Sequence, residues 1–347
     1  MTGVHLDLHP LRQDDIPEPE SPEFQQFLDE HFAGGIKLIE TMSDWDKHSL
    51  KHDSTVQILN LSSSSSLNDM RKSLGIREYW CGRRSLHTAE SLRKLSHSQS
   101  SHPPAAGNKR DSGSFNPMGL VRNLSHRLTR RSDDTAHGDR SQLNGSAIAE
   151  DDEIMEPNVS EEERQAKVMS TPPHDLYERF RRGLLEYHSE NEREYIESCR
   201  ETECLHVYKK HVAEVWRLTY KTPPPTNPRT FVVLLLSREL ITSPPGERSF
   251  MNISLPFVHP DCPEKKGGEK GRVRGKYVSV ERVKELEGGR QVEWSMVTSS
   301  DAGGNIPRFV TNRSLPSSIA EDVPSFLSWM VRRFPEGGNV ASKPVAA

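Results

Sequence analysis

The segment His259-Pro260-Asp261-Cys262 brings an imidazole, a carboxylate and a thiol together within four residues. These groups serve in acid–base, nucleophilic and metal chemistry. Neighbouring residues of a proline-bounded loop cannot by themselves surround one reacting atom or metal ion, because such sites need side chains from several directions. His206 and His211 are interpreted as residues on a strand surface. The sequence therefore predicts no catalytic residues, no metal site, no cofactor and no enzyme activity.

The basic segment KKGGEKGRVRGK, residues 265–276, contains glycines but lacks the order and the following helix of a phosphate-binding loop. Its positive charges would be attracted to an anionic membrane surface by about 1 kcal/mol each. We therefore predict a transient membrane contact; a solvated loop is the alternative interpretation. The residues predicted to make this contact are Lys265, Lys266, Lys270 and Arg272.

Large apolar side chains that alternate along predicted strands are candidates for the wall of a ligand pocket, since such pockets are mostly apolar with few polar groups. Glu214 shares its strand parity with Trp216 and Leu218, so we predict that it anchors a polar head group; a bulge or edge position explains it equally well. For each apolar residue, ordinary core packing is the competing interpretation. The predicted ligand-binding residues are Glu214, Trp216, Leu218, Tyr220, Ile253, Leu255, Trp294, Met296, Phe326 and Met330.

The elements that would position these residues are clearest near the end of the sequence. Apolar residues from Ile319 to Phe334 recur with the spacing of one helical face, which predicts an amphipathic helix. Before it, SSDAGGNIPRFVTNRSLPSSIAED is predicted as a turn-rich loop. The strands VRGKYVSVERV and QVEWSMV flank a predicted hairpin turn at Glu287-Gly288-Gly289-Arg290.

In this order, VRGKYVSVERV, VEWSMV, the corner SSDAGGNIP and the final helix resemble the C-terminal half of START domains, the steroidogenic acute regulatory protein-related lipid-transfer family. The SSDAGG-IP corner is most similar to that of an uncharacterised START-like family of fungi. The resemblance extends over residues 176–334 and, less closely, 24–87. It implies an α+β helix-grip fold, in which a curved antiparallel sheet is closed by a long C-terminal helix, and a lipid or other hydrophobic small molecule as ligand.

The remaining elements follow from caps and periodicity. Ser21 and Pro22 are predicted to start a helix that ends near Glu40. Asp175 and Glu178 form a capping-box pattern, which predicts a second helix that continues to about Cys199. Further strands are predicted at residues 55–61, 77–87, 205–221, 229–240 and 250–257.

The middle of the chain has a different composition. Between Thr88 and Leu176, Phe115 is the only aromatic residue, so this stretch cannot bury enough apolar area to offset its chain entropy. We predict a disordered insertion at 88–170 that divides one START-like domain. The predicted parts are a flexible N-terminus at 1–20, domain segments at 21–87 and 171–335, and a flexible tail at 336–347.

Basic residues precede several serines of the insertion, which predicts a basic-directed kinase as a partner. The candidate phosphorylation sites are Ser96, Ser125 and Ser132. Phosphorylation next to the basic amphipathic stretch MGLVRNLSHRLTRR would neutralise it, so we predict that the insertion regulates a membrane or partner contact.

Composition limits the cellular context. The chain of 347 residues is 33% hydrophobic, with a mean hydropathy of -0.73, a formal charge of -4 and a pI near 6.4. This charge argues against nucleic acid as a partner. Four cysteines without zinc or disulfide spacing, and no run of about 20 apolar residues, predict a reduced cytoplasmic protein that is peripheral at membranes at most.

These observations predict binding, and transfer between membranes, of a lipid or other hydrophobic small molecule in a cavity between the sheet and the C-terminal helix. The first alternative is a signalling or adaptor protein that acts through the insertion and whose cavity is plugged by bulky residues. The second alternative is an enzyme, which would require ionisable residues that converge on the cavity.

Overall fold

The computed structural model describes residues 6–52, 55–61, 65–73, 75–100, 175–222, 226–241, 247–262 and 271–335. Most of the predicted insertion and the predicted tail at 336–347 lie outside these residues. So do Ser125, Ser132, Lys265, Lys266 and Lys270.

A large antiparallel sheet organises the described residues. The strands are β1 (Leu11–Arg12), β2 (Asp46–Lys51), β3 (Val56–Asn60), β4 (Cys81–Thr88), β5 (Cys199–Lys209), β6 (Ala213–Tyr220), β7 (Arg229–Leu240), β8 (Ser249–Val258), β9 (Val273–Arg274), β10 (Lys276–Leu286) and β11 (Gln291–Asp301). Nine of them lie in the order β2-β3-β4-β11-β10-β8-β7-β6-β5, while β1 pairs with β8 and β9 with β7. Because β4 pairs with β11, the segments before and after the predicted insertion share one sheet.

Helices cover both faces of this sheet. They are α1 (Pro22–Glu40), α2 (Ser65–Ser73), α3 (Ala89–Ser100), α4 (Leu176–Arg181), α5 (His188–Tyr195) and α6 (Arg308–Arg333). Helix α1 packs against β8, β10 and β11 on one face. Helix α6 packs against β3, β4 and β11 on the other face, together with α3 and α5. The fold is the α+β helix-grip arrangement that the resemblance implied.

Helix α1 begins as the sequence predicts. Ser21 accepts a hydrogen bond from the backbone N–H of Phe24 at 3.1 Å, and Pro22 occupies the first helical position. Gly35 allows a close approach to the sheet, since a Cβ atom there would lie 2.9 Å from the Sδ atom of Met251 and 3.1 Å from the Cδ1 atom of Ile253. Glycine at this position therefore lets the helix backbone pack directly onto strand side chains.

The second predicted helix is interrupted. Asp175 caps α4 by accepting a hydrogen bond from the backbone N–H of Glu178, as predicted. A π-helical turn, Arg182–Glu186, then separates α4 from α5. Tyr187, with φ of -130° and ψ of 51°, breaks the helical geometry before α5 begins. The sequence analysis was therefore wrong to continue one helix to Cys199.

The hairpin turn at residues 287–290 is confirmed, because Glu287–Gly289 connects β10 to β11. The loop predicted between Pro307 and Asp322 is wrong: α6 starts at Arg308 and contains both Pro316 and Pro324. An early turn of helix that includes Ser314 and Leu315 is buried against the core, so tertiary packing overrides the turn propensity of its sequence.

Two other predictions need correction. The single strand predicted at 205–221 is a hairpin of β5 and β6, turned at residues 210–212, where His211 has a φ of 58°. Residues 89–100, which the sequence analysis placed in the disordered insertion, form α3, and Leu92 is buried against the core beneath α6. Strand β2 and helix α2 were not predicted, since their sequences are mainly polar.

Within the described ranges, no helix combines the length and apolar character that are needed to cross a bilayer.

Candidate functional site

A small cavity lies between the sheet, α5 and α6. The space open to the centre of a water molecule is about 30 Å³, which is room for about two water molecules. Its lining is unusually polar for a protein interior. The lining residues are Arg83, His188, Glu192, Tyr195, Ile196, Asn252, Ser254, Tyr277, Ser279, Glu281, Trp294, Met296 and Asp322.

A buried ion pair joins strands β4 and β10 in this cavity. Arg83 on β4 donates from Nη2 to Oε1 of Glu281 on β10 at 3.3 Å. The same Glu281 oxygen accepts a hydrogen bond from Nε1 of Trp294 at 2.7 Å. The guanidinium carbon of Arg83 lies 3.8 Å from the centroid of the Trp294 ring, so the cation is also held by the aromatic face.

Two further carboxylates come from the helices. Glu192 on α5 accepts a hydrogen bond at Oε1 from the hydroxyl of Tyr220 at 3.0 Å. Asp322 on α6 is buried among the cavity residues, and its interaction with Arg83 is electrostatic. The cavity therefore contains carboxylates from three different elements of the fold.

Several polar atoms of these side chains have no hydrogen-bond partner among the described residues. All five residues concerned are at most 6% exposed. A buried polar group without a partner costs about 1–3 kcal/mol, and native interiors contain few of them. The atoms are Arg83 Nε and Nη1, Glu192 Oε2, Asn252 Oδ1, Glu281 Oε2 and Asp322 Oδ1.

Burial also changes the protonation of the site. Desolvation raises the pKa of Asp322 well above the ordinary value, although the positive charge of Arg83 opposes this rise. Desolvation likewise raises the pKa of Glu192. Beside the cavity, burial and then the charge of Arg83 lower the pKa of His87 to about 3. At neutral pH His87 is therefore a neutral ring, and it lies 5.4 Å from the Phe180 ring between centroids.

The π-helical turn is tied to the cavity by its carbonyl groups. The carbonyl oxygen of Leu184 accepts from Nδ2 of Asn252 at 2.7 Å and lies 2.8 Å from Nδ1 of His188. Asn191 donates to the carbonyl oxygens of Arg182 and Gly183, both at 3.1 Å. These bonds hold α5 over the cavity through the backbone carbonyl groups of the π turn.

The structure places the predicted ligand-binding residues in three groups. Trp294 and Met296 line the cavity. Trp216, Leu218, Tyr220, Phe326 and Met330 lie on the same face of the sheet as the cavity, within the core beneath α6. Ile253 and Leu255 belong to the core on the opposite face, beneath α1. Their place in the α1 core separates these two side chains from the cavity.

Glu214 has the predicted parity but does not line the cavity. Its carboxylate accepts hydrogen bonds from the backbone N–H of His211 at 2.8 Å and from Nε1 of Trp216 at 3.0 Å. It therefore fixes the turn between β5 and β6.

Sequence reasoning missed Arg83, Glu192, Asn252, Glu281 and Asp322, although three of them left a signal. In β8, Asn252 and Ser254 alternate with Met251, Ile253 and Leu255. Hydrophobic alternation identified the face that is packed tightly against α1, whereas the cavity is on the polar face of the same strand. In β4 and β10 the corresponding alternating polar positions are Arg83, Ser85 and His87, then Ser279 and Glu281.

The other predicted groups lie elsewhere. His259 and Cys262 form a β-bridge, and Arg274 donates to the Cys262 carbonyl oxygen at 2.9 Å. Arg272 makes a bidentate contact with Glu201 at 2.7 and 3.0 Å. Among the residues with described coordinates, no group of three or more His, Cys, Asp or Glu side chains is arranged to hold a metal ion.

Comparison with known proteins gives a family of unknown function and a set of related folds. A family model described as "Protein of unknown function (DUF3074)" matches residues 164–330. No curated protein matches the chain.

Three solved structures illustrate the similar folds. Human STARD10 has a TM-score of 0.45 and 12% identity, over 88% of this chain and 80% of its own. Human StAR-related lipid transfer protein 5 has a TM-score of 0.44 and 12% identity, over 90% and 99%. A STAR-related lipid transfer protein fragment from Xanthomonas axonopodis has a TM-score of 0.38 and 10% identity, over 82% and 98%. The similarity to these three structures is one of fold. The fungal relationship stays a prediction.

Proposed function

We propose that this protein binds a lipid or another small molecule that has an apolar body and a polar end. The polar end would occupy the cavity beneath α5 and α6. The observation that carries this proposal is the set of six buried polar atoms without partners around one cavity. A few placed polar groups in an otherwise apolar core are typical of sites that bind small molecules.

The side chains next to the cavity are suited to contact the apolar body of a ligand. Trp294 and Met296 line it, and Phe326 on α6 lies 5.0 Å from Trp294 between ring centroids. Phe180 on α4 packs on both of these rings, at 5.9 and 5.4 Å. Large aromatic surfaces next to a polar end are the chemistry that an amphipathic molecule requires.

Entry would take place at α5. The present cavity has room for a polar group only, so the body of a ligand requires an element to move. The buried residues of α5 are Ser189, Asn191 and Glu192, all of them polar. In contrast, α6 buries Ile319, Val323 and Phe326 along with other apolar residues. Displacement of α5 would separate the Tyr195 ring from Phe326 and Trp329, but it would expose less apolar surface than displacement of α6.

Transfer between membranes remains part of this proposal. Of the residues predicted to contact a membrane, Arg272 is the one within the described ranges, and its guanidinium is engaged by Glu201. A contact made through this segment would therefore rely on Lys265, Lys266 and Lys270. Ser96 belongs to α3, which packs against α6, and its phosphorylation also remains part of this proposal.

The direct test is native mass spectrometry with lipid extraction on the full chain purified from its own kind of cell. We expect one bound small molecule per chain, and uptake from vesicles after its removal. Ser279→Leu would fill the cavity and should abolish binding. Ser295→Leu is the matched control, because Ser295 is also buried but belongs to the opposite face of the sheet, on β11.

An empty protein that takes up nothing from vesicles would overturn the proposal. It would favour the adaptor alternative, which the tight packing of Phe180, Trp294 and Phe326 beside the cavity supports. A variant that lacks residues 101–170 then separates the two functions. A carrier should keep its ligand, whereas an adaptor should lose its partners.

A further inference from the structure

We infer that the cavity selects a ligand whose polar end is a cationic hydrogen-bond donor, such as a primary ammonium group. This inference rests on the proposed function and names the class of molecule that the site would take. It follows from the balance of charge, from the unpartnered atoms and from the size of the cavity.

Acidic groups outnumber basic groups in the cavity wall. Glu192, Glu281 and Asp322 supply three carboxylates, and Arg83 supplies one permanent cation. The Nδ1 atom of His188 lies 3.9 Å from Oε2 of Glu281. The cavity wall therefore contains more acidic groups than permanent cations, and burial favours the protonated form of Asp322 and Glu192 while the cavity is empty. A ligand cation is the charge that would stabilise the ionised form of these carboxyl groups.

Arg83 is already engaged by a carboxylate and an aromatic ring, although its Nε and Nη1 atoms have no hydrogen-bond partner among the described residues. Its Nη2 atom already donates to Glu281, and its guanidinium plane lies against Trp294. An anionic ligand would have to compete with the Glu281 carboxylate for this cation and would place a negative charge next to three acidic groups.

The unpartnered atoms give an independent indication from a residue that carries no charge. Asn252 is 2% exposed and lines the cavity, and its amide nitrogen is used on the Leu184 carbonyl oxygen. Its Oδ1 atom is therefore left as an acceptor without a donor. Together with the carboxylate oxygens of Glu192, Glu281 and Asp322, four of the six unpartnered atoms are oxygens that a donor would satisfy.

The size of the cavity agrees with a small head group. A space for about two water molecules admits a primary ammonium group, which is about as large as water and donates three hydrogen bonds. Larger phosphate-containing head groups do not fit the space as described.

The charge of a bound ligand would also change the protonation of the carboxyl groups in the cavity. In the empty cavity burial raises the pKa of Asp322 and of Glu192. A cation stabilises the ionised carboxylate, so its binding should release protons. The charged and titratable groups that face Asp322 are Arg83 on β4, Glu281 on β10, Glu192 and Tyr195 on α5, and Glu321 on α6.

The experiment compares three probes with the same ten-carbon chain, decylamine, decanol and decanoate, by isothermal titration calorimetry on the full chain after lipid extraction. We expect decylamine to bind about tenfold more tightly than decanol, which corresponds to about 1.4 kcal/mol, because hydrogen bonds to charged groups are stronger than those between neutral groups. Decanoate should bind most weakly. In buffers of different ionisation enthalpy, decylamine binding should release protons.

Two variants test the assignment to the cavity. Asp322→Asn should reduce the preference for decylamine over decanol and the release of protons. Glu192→Gln provides a second test if Asp322→Asn does not fold. Glu293→Gln is the control because it removes one carboxylate from the opposite face of the same sheet, where Glu293 pairs with Arg84 at 3.4 Å. This control excludes a general effect of net charge.

The tightest binding by decanoate, or equal binding by all three probes, would overturn this inference while leaving the proposed function in place. A preference for decylamine that Asp322→Asn and Glu192→Gln both leave intact would also overturn it. Binding by none of the probes would contradict the proposed function itself, and the inference with it.

Discussion

The two faces of the sheet are built from the same strands but have different interiors. Beneath α1, Met251, Ile253 and Val280 contact a helix whose backbone approaches closely at Gly35. Beneath α5 and α6, alternate residues of β8 and β10 are Asn252, Ser254, Ser279 and Glu281, and they surround a cavity. One face is an apolar core, while the other combines an apolar core with buried charge.

This difference indicates that the two faces of the sheet have different roles. Close apolar packing stabilises the fold and tolerates little change in volume. Buried charges with unpartnered atoms lower the stability and persist where a ligand or ordered water completes them. Changes on the α1 face should therefore affect stability alone, and changes on the α6 face should affect stability and ligand uptake together.

The largest effect is expected from Glu281→Gln. This change leaves the Arg83 cation buried without its paired charge, which should lower the free energy of unfolding by about 3–5 kcal/mol. The control, Glu293→Gln, breaks the partly exposed pair with Arg84 and should cost about 0–1 kcal/mol. Urea denaturation measures both. Equal losses of stability in the two variants would show that the buried pair in the cavity contributes no more to the free energy of unfolding than the pair on the opposite face.

Gly35→Leu should lower the free energy of unfolding by about 1–3 kcal/mol, because the new side chain overpacks against Met251, Ile253 and Val280. Ala33→Leu is the matched control, since Ala33 is exposed on the same helix. Ligand uptake per folded molecule should be unchanged in both. A loss of uptake in folded Gly35→Leu would show that the two faces are coupled.

The next largest difference between the two faces is expected in the pH dependence of stability. The pKa of Asp322 is raised in the folded state, so the unfolded chain loses this proton first as the pH rises above about 4. The wild type should therefore lose stability relative to Asp322→Asn over this range, until the folded carboxyl also ionises. Thermal unfolding at a series of pH values measures the difference.

Glu293→Gln, again, removes a carboxylate from the opposite face and serves as the control for this pH series. A constant difference between the wild type and Asp322→Asn at all pH values would contradict the raised pKa of Asp322.

The smallest effect on stability is expected from Trp329→Phe. Nε1 of Trp329 on α6 donates to Oε2 of Glu194 on α5 at 2.8 Å, and phenylalanine keeps most of the packing while losing this bond. We expect a loss of about 0.5–1.5 kcal/mol. Amide hydrogen exchange should become faster in α5 and stay unchanged in α1. Unchanged exchange in α5 would argue against this helix as the entrance to the cavity.

Much of the fold could be predicted from the sequence because its signals are local. The Ser21 and Asp175 caps, the turn at residues 287–290 and the alternation in β8 each depend on a few neighbouring residues. The start of α6 could not be predicted in this way, since Gly303, Gly304 and the prolines favour a loop and only burial against the sheet favours a helix.

The site was harder to predict for a related reason. Arg83 and Glu281 are separated by nearly two hundred residues, and they meet only because β4 lies beside β11 and β11 beside β10. Within β8, the stronger apolar signal of Ile253 and Leu255 drew the prediction to the opposite face. Polar residues that recur at every second position of an interior strand are the better indicator of a cavity.

The pairing of β4 with β11 also has a consequence for biosynthesis. Thr88 is paired with Gln291, which leaves the ribosome roughly 200 residues later. At a synthesis rate of about 5–20 residues per second, β4 is complete about 10–40 seconds before its partner strand. During this time β2, β3 and β4 would form a ribbon in which the edge of β4 lacks its partner strand. We expect chaperones to bind this edge. Because this pairing spans so much of the chain, refolding after denaturation should also be slow.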